Sequence, residues 1–441
     1  MINRPLEFYE AIHSNNNICL ASFIEAKLTK KEIDQAWYFT QLRHPYLRMK
    51  LEPDDALPYK LRFHEKRPAK AIPDHQFHSE IGPLTEEAWQ SILHEMTNQP
   101  RLKCPELWYI RLRSNPNLTQ HQLYFMINHC GSDGIGVFAI LDTFLDFLEK
   151  ILSKEPILEV TSLEFINIQT HIPPGVSEIP SFESTKPALP ALKYESTLDP
   201  DGPAQVSAVW FAFDKRKTKQ FLAACKKHDT TVQAALTCAE MLAVAINSLK
   251  DTPLPHHMVI CAPVNIRPYV TPPISNVHSV CGSSGLIWEQ DLRPEMGLWS
   301  LVQETTQCLK IGLASQYPLK FRFDVMDQPD IMTTGMPAIT FMVSSVGRTP
   351  ILAEYRGFKL HGVKVIAGAY DTPRVSSAGM VAHAFTIQDC FNVTFGYTNP
   401  SFTPEWAARF TKIMETFLSI LTTDKDGNQS VAQFITRTQR V

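Results

Sequence analysis

Asn128-His129-Cys130-Gly131-Ser132-Asp133-Gly134 sets an imidazole and a carboxylate four residues apart in a stretch rich in turn-forming residues. An imidazole exchanges a proton near neutral pH, so His129 is a candidate general base. The plainer alternative is a packed histidine hydrogen-bonded beside a glycine turn. Cys130 is a second candidate, as a thiol nucleophile. Neighbours on an extended segment point to opposite sides, so Cys130 and His129 cannot form a dyad without an unusual bend. The sequence shows no second His or Cys at ligand spacing from His129, so no metal is expected there.

The flanking residues say how such a histidine would be held. From His121 to Asn128, Leu123, Phe125 and Ile127 alternate with Tyr124, Met126 and Asn128, which predicts a strand buried on both faces. Glu106 to Arg113 reads as its hairpin partner across the Ser114-Asn115-Pro116-Asn117 turn. After His129, the glycines supply turn chemistry, and Phe138, Leu141, Leu145, Leu148 and Leu152 recur at helical spacing from Ile135 onward. His129 therefore falls between a strand and a helix. Upstream, Thr29-Lys30-Lys31-Glu32 is a capping box that predicts a helix to about Leu42, ended by Pro45. Tyr46 to Leu51 reads as extended, and Thr85 as the cap of a helix through about Met96.

Between about Ser153 and Gln205, scattered prolines and weak periodicity predict an irregular crossover. The second half then predicts a strand at Val206 to Phe213 and a basic helix at Lys215 to His228. That helix has a solvated face, with a site for coenzyme phosphates as the alternative. A helix capped by Thr230 or Thr231 follows, then strands at Met258 to Val264, Ala338 to Ser344 and Cys390 to Tyr397. Thr403-Pro404 opens a closing helix through about Leu421. Asp424 to Asn428 resembles the start of a calcium loop but lacks the glutamate at its twelfth position, so it reads as a polar turn.

At 441 residues, 44% hydrophobic and 20% charged, the chain exceeds what one core usually supports. Its formal charge of -3 gives no reason to expect a nucleic-acid partner. No apolar run reaches membrane-spanning length, and Met1 to Leu20 carries charges where a signal peptide needs an apolar stretch, so a cytoplasmic location is expected. Nine cysteines without CxxC spacing read as reduced thiols.

Four segments in order resemble the superfamily of chloramphenicol acetyltransferase, HxxxD acyltransferases, alcohol O-acetyltransferases, polyketide-associated acyltransferases and nonribosomal peptide condensation domains. Asn128 to Gly134 is similar to its HHxxxDG marker, with Asn128 in place of the first His. Arg43-His44-Pro45-Tyr46-Leu47-Arg48 resembles RHPxLR, and Pro263-Val264-Asn265-Ile266-Arg267 resembles PVNxR. Ser344-Ser345-Val346-Gly347-Arg348 is similar to the S-x-x-G-R stretch of the alcohol acetyltransferase and polyketide-associated branch. The DFGWG segment of the plant-type enzymes is absent, which disfavours that branch.

The resemblance implies an α/β (α+β) fold of two acetyltransferase-like subdomains, each a mixed sheet with flanking helices, and an active-site tunnel at their interface. Residues 1–170 would form the first, 171–205 the crossover and 206–441 the second. It implies an acyltransferase in which His129 is the base, Asp133 is structural and paired with Arg43, and Gly134 lets the turn run into the helix. Ser344, Ser345, Asn128, Arg348, Asn265 and Arg267 are candidates for oxyanion or substrate contact, with loop-holding as the alternative for both arginines. Acyl-CoA is the implied co-substrate, with no permanently bound cofactor, a small-molecule acceptor and a monomeric enzyme. Two alternatives stay open: a condensation-like enzyme fed by an acyl carrier protein, and a non-catalytic binding relative.

Overall fold

The computed structural model describes residues 2–57, 61–99, 106–180, 205–327, 339–369, 379–399, 401–423 and 429–439. The first stretch of chain forms β1 (Asn3–Pro5), α1 (Phe8–Ile12), β2 (Asn16–Glu25), α2 (Lys30–Arg43), β3 (Met49–Pro53), β4 (Leu61–Glu65), β5 (Phe77–Ile81), α3 (Glu86–Thr97), β6 (Trp108–Ser114), β7 (Gln120–Asn128) and α4 (Gly134–Leu152). There follow β8 (Gln205–Phe213), α5 (Lys215–Lys227), α6 (Val232–Asn247), β9 (His256–Asn265), β10 (Ser283–Leu292), α7 (Leu298–Ala314) and α8 (Tyr317–Asp327). The chain closes with β11 (Phe341–Arg348), β12 (Glu354–Tyr355), β13 (Phe358–Ala369), β14 (Met380–Ile387), β15 (Cys390–Asn399), α9 (Pro404–Thr423) and α10 (Val431–Thr438). The polar turn expected at Asp424 to Asn428 and most of the crossover lie outside the described residues.

Two compact units divide the chain. The first takes residues 1–173, 267–283 and 349–370, and the second takes 174–266, 284–348 and 371–441. The sequence boundary of 206–441 for the second subdomain is therefore corrected, because two later segments belong to the first unit. The reason is strand pairing: β13 runs antiparallel to β2 from Lys359 opposite Glu25 to Ala369 opposite Asn16.

The first unit is built on a mixed sheet of order β12-β13-β2-β7-β6-β5, antiparallel except for β5 with β6. Its alternation sorts side chains to two faces. Leu20 opposite Phe125 lies on one face, where Trp37 of α2 meets Trp108, Phe125 and Phe144 of α4. Phe23 lies on the other, against Trp89 of α3. Helix α2 starts at the expected Thr29 box, with Glu32 accepting from the Thr29 N–H at 3.0 Å. Tyr46 to Arg48 differ from expectation: Pro45–Arg48 is one turn of 3-10 helix and the strand begins only at Met49. Proline at the first helical position favours that turn, and Tyr46 holds it by donating to the Ile166 carbonyl at 3.1 Å.

The second unit has a mixed sheet of order β10-β9-β11-β14-β15-β8, with β11 parallel to both neighbours. Helix α6 is buried over most of its length, and α9 brings Trp406 and Phe410 against Phe395 of β15. Register in β11 slips between Ser345 and Gly347, where Gly347 has φ +84. That left-handed conformation costs an L side chain, which accounts for glycine in the Ser344 to Arg348 motif.

Candidate active site

The turn after β7 is fastened before any chemistry is asked of it. The Asn128 N–H donates to Leu107 O at 2.8 Å, and the buried Asn128 amide donates to Ser14 O at 2.8 Å. The same amide's oxygen accepts from the Cys130 N–H at 3.1 Å. Offered above as an oxyanion or substrate contact, Asn128 is instead spent on the backbone of the turn and of the segment leading into β2. Cys130 is fully buried.

His129 donates its backbone N–H to Asn16 O at 2.8 Å, so the start of β2 holds it from one side. The residue as a whole is half-buried. Burial lowers its pKa below the ordinary imidazole value, while a hydrogen bond to its own backbone and the charge of Asp133 work the other way. Nδ1 is the ring nitrogen that can reach its own carbonyl. A proton held there leaves the lone pair on Nε2, the tautomer a general base needs.

Asp133 caps α4, accepting from the Gly136 N–H at 2.9 Å. Its partner is Arg267, which corrects the assignment to Arg43. Arg267 donates from Nη1 to Oδ2 at 2.7 Å and from Nη2 to Oδ1 at 2.9 Å, and the Gly282 N–H adds 2.9 Å to Oδ2. Arg267 also holds the Val280 carbonyl at 2.8 Å. Both side chains are buried, Arg267 at 0% exposure. Burial pushes the Asp133 pKa up, but the Arg267 charge and hydrogen bonds overcome it and keep the carboxyl below its usual range. Arg43 ends α2, where its carbonyl accepts from the Leu163 N–H. The physical reason for the switch is that the cap of α4 faces the 278–282 segment, which the sequence places far away.

Two glycines outside the expected set are required here. A Cβ on Gly136 would lie 2.4 Å from Ser132 Oγ and 3.2 Å from Ser279 Cα, and one on Gly282 would lie 2.7 Å from Arg267 Nη1. Gly134 is the first residue of α4. Within the Arg43 to Arg48 segment, buried His44 bonds Thr143 of α4 at 2.9 Å, and burial pushes its pKa down to about 3. Arg48 donates to the Gln41 and Leu42 carbonyls and to Glu65. That segment is a buckle for α2 and α4.

The remaining candidates lie in the second unit. Ser344 and Ser345 sit on β11 opposite His383 and Ala384 of β14, Asn265 ends β9, and Arg348 is exposed and paired with Asp389.

Sequence spacing left out one further relationship. His13, at the end of α1, stacks its ring on His129 with centroids 4.4 Å apart and planes 16° from parallel. Cys281 Sγ lies 3.8 Å from His129 Nδ1. One ligand atom from each of the three falls within 4.8 Å of the others, so a potential metal-ligand set does exist, drawn from three distant segments. An imidazole binds a metal in its ring plane, and stacked planes do not converge on one point. The cluster as built is a stack and not a metal cage.

The C-terminal family model described as phthiocerol/phthiodiolone dimycocerosyl transferase C-terminus matches residues 202–396. Polyketide synthase associated protein 5 from Mycobacterium tuberculosis is similar in structure, with TM-score 0.70 and 12% identity over 96% of this chain and 98% of that one. Trichothecene 15-O-acetyltransferase TRI3 from Fusarium sporotrichioides gives TM-score 0.70 and 12% identity over 95% of each chain. The first condensation domain of the calcium-dependent antibiotic synthetase gives TM-score 0.72 and 13% identity over 98% and 99%. No curated protein matches the chain in sequence. Residues 202–396 therefore resemble that transferase family, and the fold of the chain is the one seen in these acyltransferase and condensation-domain structures. No helix among the described residues is long and apolar enough to cross a membrane.

Proposed function

We propose that the protein moves an acyl group from a thioester, acyl-CoA foremost, to a hydroxyl of a small secondary-metabolite acceptor, with His129 as general base. The observation that carries this reading is the fastening of His129 on the turn after β7, its backbone N–H held by Asn16 O at 2.8 Å and its ring held against His13 with centroids 4.4 Å apart. As the acceptor oxygen bonds to the thioester carbonyl carbon, its proton passes to Nε2. The tetrahedral oxyanion then collapses, the C–S bond breaks, and the departing thiolate takes the proton back. Base catalysis of this type contributes on the order of 10²–10⁴-fold. Asp133 and Arg267 hold the turn and take no part in proton transfer. Ser344 and Ser345 are the proposed oxyanion donors, and loss of such a donor costs roughly 10²-fold or more in kcat. A cytoplasmic monomer without a permanent cofactor goes with this reading.

Mass spectrometry of products formed from acyl-CoA and a small-molecule extract tests it. New acyl esters made by the wild type and lost in His129→Ala support it. Turnover that requires an acyl group loaded on a carrier protein would move the assignment to the condensation-like alternative, which the similarity to the antibiotic synthetase domain favours. Undiminished transfer by His129→Ala would end the base assignment.

A further inference from the structure

Helix α5 of the second unit carries six cations and no anion in its 13 residues, on a chain whose formal charge is -3. Thr218, Phe221, Ala224 and Cys225 form its buried side. Lys217 also turns inward, with its ammonium 3.8 Å from the centre of the Phe213 ring. Lys215, Lys219, Leu222 and Lys226 are exposed and recur at i, i+4, i+7 and i+11, so they stand in one row along the outer side. Exposed Arg216 and Lys227 flank that row. The nearby acids are Asp214, spent on capping the helix, Asp229 just past its end, and Glu415 of α9, which accepts from Lys412 at 3.0 Å.

This arrangement is unfavourable to the helix itself. Its first turn holds Lys215, Arg216 and Lys217 at the end where the macrodipole favours anions. Lys215 and Lys219 repel each other at i, i+4. Packing of the buried side keeps the helix formed despite both, and an anionic surface laid along the outer side would relieve both. Lys215 to Lys226 spans about 16 Å of a convex rod, so these charges do not converge on the phosphates of one small molecule. That spread argues against the coenzyme-phosphate site that the sequence left open for this helix.

Leu222, 39% exposed, stands in the row between Lys219 and Lys226. An apolar side chain flanked by cations suits the boundary between charged headgroups and acyl chains, with the lysine stems reaching back to the phosphates. A nucleic-acid backbone offers that leucine no apolar neighbour. We propose that the outer face of α5 docks on a bilayer surface rich in anionic phospholipid, a reversible peripheral contact made by the lysine row with Leu222 inserted. The contact needs no acyl transfer, so it stands or falls apart from the role of His129.

Co-sedimentation of the full-length protein with lipid vesicles tests it. Binding is expected to phosphatidylcholine vesicles containing about 30% phosphatidylserine, and should fade at about 0.5 M salt. Vesicles of phosphatidylcholine alone should bind far less. Lys219→Gln combined with Lys226→Gln should weaken binding roughly tenfold or more. Leu222→Gln should weaken it about threefold and leave its salt dependence unchanged. All three positions are exposed, so thermal melts of these variants should match wild type. The wild-type comparison of the two lipid compositions decides the charge contribution without any variant. Equal binding to both vesicle types, no binding to either, or undiminished binding by the double lysine variant overturns the proposal. So does undiminished binding by Leu222→Gln, which would mark a purely electrostatic patch suited to an acidic protein or a nucleic acid.

Discussion

Asp133 and Arg267 stand 134 residues apart in the chain and meet as a two-bond ion pair, closed to water on both sides. The carboxylate caps α4 while the guanidinium holds the Val280 carbonyl, so one contact fixes the turn that carries His129 and the segment that carries Cys281.

Asp133→Ala should therefore destabilise the protein by about 3–5 kcal/mol, since it strands the Arg267 charge without its counterion. Urea unfolding measures this. Replacing both partners by apolar residues of similar volume should recover part of the loss, whereas a double variant as unstable as Asp133→Ala would show that the stranded charge is not the cause.

The acid limb of kcat/KM should have its midpoint below the unperturbed imidazole value of about 6.5. Burial lowers the His129 pKa, so the neutral, active form persists to lower pH than free histidine would allow. Asp133→Asn removes a charge that raises that pKa and should move the limb further toward acid. A pH profile whose limb moves toward base instead would contradict the stated balance.

Gly136→Ala should cost about 1–3 kcal/mol, because the added methyl meets Ser132 Oγ and the Ser279 backbone in a packed turn. Differential scanning calorimetry reads it. Gly134→Ala, where α4 begins, should cost less, and equal losses at the two glycines would remove the distinction.

Glu240 lies in the middle of α6 at 0% exposure, and burial holds its carboxyl well above the usual range, against an opposing contact from the Ala382 backbone. The folded state keeps this proton at pH values where the unfolded chain has released it, so stability should fall as pH rises above about 4.3. Glu240→Gln should flatten that decline. Thermal melts across pH 4.5 to 8 in both proteins check it, and parallel curves would assign the decline to other groups.

How far the sequence could be read depends on how local each signal is. The alternation before Asn128, the capping box at Thr29 and the stripe from Phe138 to Leu152 are set by neighbours within a turn or two, and β7, α2 and α4 follow them closely. The partner of Asp133 was not local. Arg43 and Arg267 are both arginines in motif-like segments, and only the way residues 267–283 return to the first unit decides between them. His13 carried no signal either, since a lone histidine ending a five-residue helix looks like any surface residue until β2 pairs with β7. Strand β13 was missed because nothing in its composition says that it crosses to the other unit's sheet.

That crossing bears on how the gene could be cut. With residues 349–370 removed, β2 would present an unpaired row of apolar-flanked amides along its length, the template on which chains stick to one another. A polypeptide ending after α4 should accordingly precipitate or need residues 349–370 supplied in trans, and the two halves of this protein are better regarded as one folding partnership than as separable modules.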